Sequence, residues 1–175
     1  DEKEDIDRRL RDMVRRDREL ARRSVEEARK LVDKNRKLVE RVFRELKKLV
    51  DELDELVRRR DGPEDDIRRA VKKIKDDLRK LLKELDDHSK DTRRRDEESN
   101  RELERHTREL EERIRRLEDD KLLKDLEEEL RKTREEVHRL NEETNRRLDK
   151  VNKDARDLVR ELEELIEDVL RKVET

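Results

Sequence analysis

A repeat of 18 residues runs through the chain and restricts it to long helices. In the first third of the sequence the period relates four sets of apolar residues: Leu10, Ala28 and Leu46; Met13, Leu31 and Leu49; Val14, Val32 and Val50; and Leu20, Leu38 and Leu56. Eighteen residues make five turns at about 3.6 residues per turn, whereas a left-handed coiled coil keeps a strict seven-residue repeat. We therefore expect α-helices that are nearly straight.

The same period continues in two later segments of the chain. It relates Ile67, Leu85 and Leu103 in one segment, and Leu122, Leu140 and Leu158 in the other. Within each segment the apolar residues follow one another in steps of three and four, which is the pattern of a helix with one apolar face. The sequence therefore predicts three helices.

Two junctions separate these segments. Gly62 and Pro63, the only glycine and proline, predict a turn at 62–63. At the second junction the repeat is displaced by two positions between Leu117 and Leu122, and Asp119 or Asp120 can cap the next helix. We predict helix 1 at about 3–61, helix 2 at about 64–118, a turn at 119–121 and helix 3 at about 122–174, in a single bundle over 1–175.

Three helices of similar length joined by short turns must pack as antiparallel neighbours. The apolar arc of each helix, about 120 to 140° wide, matches what one helix shows to two neighbours. The predicted fold is all-α, an elongated antiparallel three-helix bundle. Because no second apolar face remains, a monomer is expected, with a homo-oligomer as the alternative. Very long helices pairing between chains are disfavoured by the turn and by the displaced repeat.

The composition excludes several classes of function. Lys and Arg (53) nearly balance Asp and Glu (55), so there is no basic excess for nucleic acid. Phe43 is the only aromatic residue and cysteine is absent, which removes stacking platforms for flat cofactors and zinc–thiolate ligands. We expect a non-enzymatic protein with no cofactor, no metal, no membrane or nucleic-acid partner and no required partner of any kind.

The sequence carries neither a targeting signal nor a run of about 18 apolar residues. The expected location is therefore soluble, and cytoplasmic when the protein is expressed recombinantly.

Polar residues interrupt the apolar stripe at matching heights in all three helices. Turns near 62 and 119 place residues 88–107 opposite about 18–37 and 132–151. The polar set comprises Asp17, Ser24, Asn35, His88, Ser89, Thr92, Asp96, Ser99, Asn100, His106, Thr107, Thr133, Asn141, Thr144 and Asn152, with His138 and Asn145 beside the stripe.

We interpret these residues as a structural polar network of hydrogen bonds between helices. The matched heights group His88 with Asn35 and Asn152; Thr92 with Thr144; Ser99 and Asn100 with Ser24 and Asn141; and His106 with Asp17 and Thr133. A buried polar group left without a partner costs about 1 to 3 kcal/mol, so matched layers penalise wrong alignments of the repeating helices.

More specific functions are conceivable for the same residues. His106 and His138 lie close enough in height for a weak metal site, while His88 stands alone. Asp17 and His106 resemble two members of a catalytic triad, but Thr107 and Thr133 are poor nucleophiles in a filled core. A pH-responsive switch through buried His88 or His106 and a natural coiled-coil spacer are the alternatives to a scaffold.

The chain resembles the computationally designed helical bundles with buried hydrogen-bond networks. The resemblance rests on the ideal repeat, the matched helix lengths, the charged exterior, and the Ser, Thr, Asn and His residues in the central layers. It covers the whole chain and implies a scaffold or assembly module without a natural biochemical function.

Overall fold

Three α-helices account for nearly all of residues 1–59 and 64–174, which are the residues that the structure, a computed structural model, describes. Helix α1 spans Glu2–Arg59, α2 spans Glu64–Arg115 and α3 spans Asp120–Glu174. The predicted all-α class is confirmed, and within these residues there is no strand. The predicted turn at Gly62 and Pro63 lies outside the described residues.

The helix ends carry charges that suit the helix dipole. Acidic residues occupy the first turns of α1 and α2, and Arg58 and Arg59 lie in the last turn of α1. Negative charge near the amino end and positive charge near the carboxyl end each stabilise a helix by about 0.3 to 1 kcal/mol. The end charges thus help to fix the helix bounds.

The second turn is built without glycine or proline. Helix α2 ends at Arg115, three residues before the predicted end, and its last turn tightens as Leu117 N–H donates to the Ile114 carbonyl at 3.0 Å. Asp119 Oδ1 then accepts hydrogen bonds from the N–H groups of Lys121 and Leu122 at 3.1 and 3.2 Å. Asp119 is therefore the N-cap, and α3 begins earlier than predicted.

The chain packs into two compact units, and each contains part of all three helices. The first unit comprises Asp1–Leu31 and Asp91–Arg147, and the second comprises Val32–Lys90 and Leu148–Thr175. Each unit is thus a three-helix bundle in its own right. The single bundle over 1–175 stays a prediction.

The core of the second unit is almost wholly aliphatic. Eighteen buried Leu, Ile, Val and Ala side chains form one cluster, to which all three helices contribute. Leu162, Ile166 and Val50 are 0%, 1% and 2% exposed, and Phe43 packs against the cluster. This is a continuous apolar interior.

The first unit has a smaller apolar cluster. Seven buried residues form it: Leu10, Val14, Leu110, Ile114, Leu122, Leu126 and Leu130. Further along the same helices the buried apolar residues are mostly small, as Ala21, Val25 and Ala28 show. Polar side chains fill the positions between them.

Within the first unit, α1 and α2 run antiparallel. Met13 contacts Arg113, Asp17 contacts His106 and Ser24 contacts Ser99, so the α2 number falls as the α1 number rises. Helices α2 and α3 follow the same rule, with Glu111 against Arg134 and Asn100 against Asn141. The predicted direction of the helices is therefore seen within this unit.

Surface ion pairs mostly join residues three or four apart in one helix. Arg68 with Glu64 and Arg108 with Glu104 are examples, each at 2.8 Å. Pairs between helices of the same unit include Arg29 with Glu143, Arg134 with Glu111 and Lys172 with Asp54. The surface charges thus mainly reinforce individual helices.

Candidate functional site: the buried polar layers

A buried carboxylate lies at the centre of the first polar layer. Asp17 on α1 is 0% exposed, and its Oδ1 lies 2.8 Å from Nδ1 of His106 on α2. The Thr107 hydroxyl oxygen is 2.9 Å from the same Oδ1. The structure thus brings together the predicted pair of Asp17 and His106, and it adds Thr107 to them.

The donors of this layer all meet one oxygen of Asp17. Thr107 has a single hydroxyl proton and is also 2.9 Å from the Leu103 carbonyl, so the proton is shared between two acceptors or given to one. Asp17 Oδ2 is buried and has no hydrogen-bond partner among the described residues. An ionised carboxylate gains more from a donor than a neutral carbonyl does, which favours the bond to Asp17.

The carboxylate also fixes the proton on His106. When the Asp17 carboxylate is ionised it only accepts hydrogen bonds, and Nδ1 of the imidazole then carries the proton and donates it. The His106 side chain is 37% exposed, whereas that of Asp17 is 1% exposed. The imidazole is therefore partly exposed, although its Nδ1 contacts a buried carboxylate.

Two further polar pairs occupy the first unit. The hydroxyl groups of Ser24 on α1 and Ser99 on α2 share a hydrogen bond, and Asn141 Nδ2 on α3 donates to Asn100 Oδ1 on α2 at 3.1 Å. Asn141 Oδ1 is buried without a partner among the described residues. The four residues that the sequence grouped as one layer thus form one α1–α2 pair and one α2–α3 pair.

Asp96 is a polar core position to which the sequence assigned no partner. It is partly buried, and its Oδ1 is shielded from solvent without a hydrogen-bond partner in the described chain. Burial raises the pKa of the Asp96 carboxyl, and the negative charge of Glu97 raises it further. An acidic residue on the core stripe to which the grouping by height gave no partner was the signal that could have identified it.

The second unit holds a polar pair between α2 and α3. Asn152 Nδ2 donates to the Ser89 hydroxyl oxygen at 2.9 Å, and Asn35 on α1 is buried at 5% exposure. The sequence grouped Asn152 and Asn35 with His88, but His88 is exposed. Ser89, the next residue of α2, is the one that is buried at this height. The predicted burial of His88 is therefore wrong.

Three buried threonines lie on the polar stripe besides Thr107. Thr133 donates to the Glu129 carbonyl at 3.1 Å and Thr144 to the Leu140 carbonyl at 2.8 Å, each within its own helix. Thr92 is buried at 5% exposure. These two hydroxyl groups thus donate within their own helix, where a carbonyl four residues back is always within reach of a threonine. The grouping of Thr92 with Thr144 stays a prediction.

His138 and Asn145, placed beside the stripe by the sequence, are both exposed. The side chain of His138 is 77% exposed, and its Nε2 lies 3.0 Å from Glu142 Oε1 on the same helix. Assigning these two residues to a buried network was therefore wrong. A residue at the edge of an apolar arc can face the interior or the solvent, and both of these residues face the solvent.

An open groove of about 310 Å³ lies between α2 and α3 on the surface of the first unit, lined in part by Leu103, Thr107, Thr133, Val137 and Asn141.

Among residues 1–59 and 64–174, no three His, Asp or Glu side chains are placed to hold a metal ion. Over the same ranges, no helix has an apolar stretch long enough to cross a membrane.

Comparison with known proteins identifies the fold. No family model matches the chain, and no curated protein sequence matches it. A solved structure described as a computationally designed three helix bundle is similar, with a TM-score of 0.54, 20% sequence identity, and coverage of 99% of this chain and 86% of that chain. At this identity the likeness shows the fold alone, a three-helix bundle, in agreement with the resemblance drawn from the sequence.

Proposed function

We propose that the protein is a designed structural scaffold without a natural biochemical function, in which buried polar pairs set the register of the helices. The observation that carries the proposal is the Asp17 layer, where a fully buried carboxylate on α1 meets two donors on α2. Ser24 with Ser99 and Asn100 with Asn141 add further matched pairs in the same unit.

The register argument rests on the cost of displacing Asp17. Apolar residues that repeat every 18 positions can satisfy one another in more than one alignment of the helices. Sliding α1 along α2 takes Asp17 from His106 and Thr107 at the same time. A buried charge left without its partner costs about 3 to 5 kcal/mol. The layer therefore favours one alignment over the others.

Spin-label distances within the first unit test this proposal. Labels at exposed Arg16 and Arg108 report the position of α1 along α2. We expect one narrow distance distribution for the parent chain. With Asp17→Leu, His106→Leu and Thr107→Val combined, a broadened or second distribution is expected, because the apolar layer no longer rejects displaced alignments.

Leu110→Ile is the matched control, since it alters a buried side chain of the same unit without touching a polar pair. It should leave the distribution narrow. If the triple variant keeps the narrow distribution of the parent, the polar layer does not set the register and the proposal fails.

A pH-responsive switch is the second candidate, and the contact between His106 and Asp17 is the observation that bears on it. A protonated imidazole at this position retains a carboxylate partner and gains a charge-assisted hydrogen bond. Acid should therefore not open this layer through His106. Melting curves at about pH 7.5 and about pH 5 decide between the candidates, because only a switch predicts a large loss of stability that His106→Gln abolishes.

A further inference from the structure

The contact between Asp17 and His106 determines whether Nε2 of the imidazole carries a proton. Nδ1 donates to the buried carboxylate at 2.8 Å, so in the neutral ring the proton lies on Nδ1 and the lone pair on Nε2. Hydrogen bonding at one ring nitrogen sets the state of the other in this way. Asp17 thus acts as a positioning residue for Nε2.

Access to Nε2 follows from the burial of the two partners. The His106 side chain is 37% exposed, whereas that of Asp17 is 1% exposed. Because Nδ1 is turned towards the buried partner, the solvent-exposed part of the ring contains Nε2. A nitrogen with a fixed lone pair and open access is the requirement for an imidazole nucleophile.

We infer that Nε2 of His106 is a nucleophile towards activated acyl groups, of which aryl esters such as 4-nitrophenyl acetate are the accessible class. Nε2 attacks the carbonyl carbon, the bond to the aryl oxygen breaks, and 4-nitrophenolate leaves with the bonding electrons. The product is an acetylimidazolium whose positive charge faces Asp17 through the Nδ1 proton. Water then attacks the acyl carbon, releasing acetic acid and a proton and restoring the neutral ring.

His138 provides a contrast within the same chain. Its Nε2 lies 3.0 Å from Glu142 Oε1 on the surface, so in His138 a carboxylate faces the nitrogen that corresponds to the open one in His106. His138 is nevertheless the more exposed of the two, at 77%. If exposure alone decided reactivity, His138 would react faster. The open lone pair on Nε2 instead favours reaction at His106.

Two single-histidine variants separate these expectations. His88→Gln with His138→Gln keeps only His106, and His88→Gln with His106→Gln keeps only His138. Release of 4-nitrophenolate and acetylated protein, followed by absorbance and by mass spectrometry, should be about tenfold faster in the first variant, because the lone pair is on the open nitrogen. Equal rates, or a faster His138 variant, would overturn the inference.

Asp17→Asn in the His106-only chain tests the positioning role. The amide can donate to Nδ1 and so stabilise the opposite tautomer, and we expect about a tenfold slower reaction. Nitrogen-15 imidazole shifts should report protonated Nδ1 in the parent and protonated Nε2 in the variant. A rate and shifts that both stay unchanged would contradict the role given to Asp17.

Thr107→Val is the matched control for Asp17→Asn. It removes a donor to Asp17 Oδ1 but leaves the contact of Asp17 with His106, so the rate should change by less than about twofold and the tautomer should persist. Circular dichroism checks that each variant is folded. If Asp17→Asn does not fold, the comparison of the two single-histidine chains still decides the inference, because both of those chains retain Asp17.

Discussion

The two units share the same helices and the same repeat but fill their interiors differently. In the second unit 18 buried aliphatic residues form one cluster, with Asn35 and Ser89 as its buried polar residues. In the first unit the cluster has seven residues, and the remaining interior holds mostly small apolar residues together with Asp17 and hydroxyl groups. Burial of aliphatic side chains stabilises the fold strongly but does not discriminate between alignments of the helices. Hydrogen-bonded pairs stabilise the fold less but favour one alignment over the others.

The largest effect should come from the aliphatic core. Leu162 is 0% exposed in the second unit, so Leu162→Ala leaves a cavity where the neighbours cannot collapse fully. We expect a loss of about 3 to 4 kcal/mol in the free energy of unfolding, measured by urea denaturation. Leu165→Ala, at a partly buried position of the same helix, is the control and should cost clearly less.

The next effect should come from breaking the Asp17 layer. His106→Leu leaves Asp17 buried with only the Thr107 hydroxyl, and we expect a loss of about 2 to 3 kcal/mol. Combining it with Asp17→Leu should recover most of this loss, because both members of the pair are then apolar. A double-mutant cycle measures the coupling, and additive losses would show that the pair is not coupled.

Two threonines of the first unit form a matched test of inter-helical bonding. Thr107 donates towards Asp17 on another helix, whereas Thr133 donates only to its own helix backbone. Thr107→Val should therefore cost about 1 to 1.5 kcal/mol and Thr133→Val about 0.5 kcal/mol or less. Equal losses in thermal or urea unfolding would mean that the bond to Asp17 adds nothing.

A gain in stability, rather than a loss, is expected from substitution of Asp96. Burial raises the pKa of Asp96 in the folded chain, so the ionised carboxylate destabilises the fold above that pKa, and the penalty disappears below the unfolded value of about 3.9. Because Asp96 is only partly buried, solvent screens its charge, so Asp96→Asn should raise stability by about 0.5 kcal/mol or less near pH 7. The gain should shrink as the pH falls through the folded pKa. A gain that is independent of pH between about 7 and 3 would contradict this origin.

Periodicity was sufficient to predict the three helices, since an apolar face is encoded by many residues and tolerates local exceptions. The end of α2 was misplaced because Arg116, Glu118 and their neighbours suit a helix as well as a turn, and the decision rests on the Asp119 cap. Helix ends depend on a few such contacts.

The polar layers were harder to predict than the fold. Matching the heights of residues along the helices predicted that Asp17 lies near His106 and Ser24 near Ser99, and both contacts are present. Height alone could not show that His88 turns outward, or that the Thr133 hydroxyl donates to its own backbone. Those outcomes depend on rotation about the helix axis and on competition with carbonyl groups four residues back, neither of which a spacing encodes.

The surface ion pairs have a consequence for how the chain could be altered. Since most of them join residues of one helix, the exterior says little about which helix packs against which, and that information is concentrated in the interior. Exposed residues could be substituted to change the net charge or to introduce a peptide epitope while the buried contacts between helices are kept. The buried residues thus determine how the helices pair, whereas the surface residues can change without altering the fold.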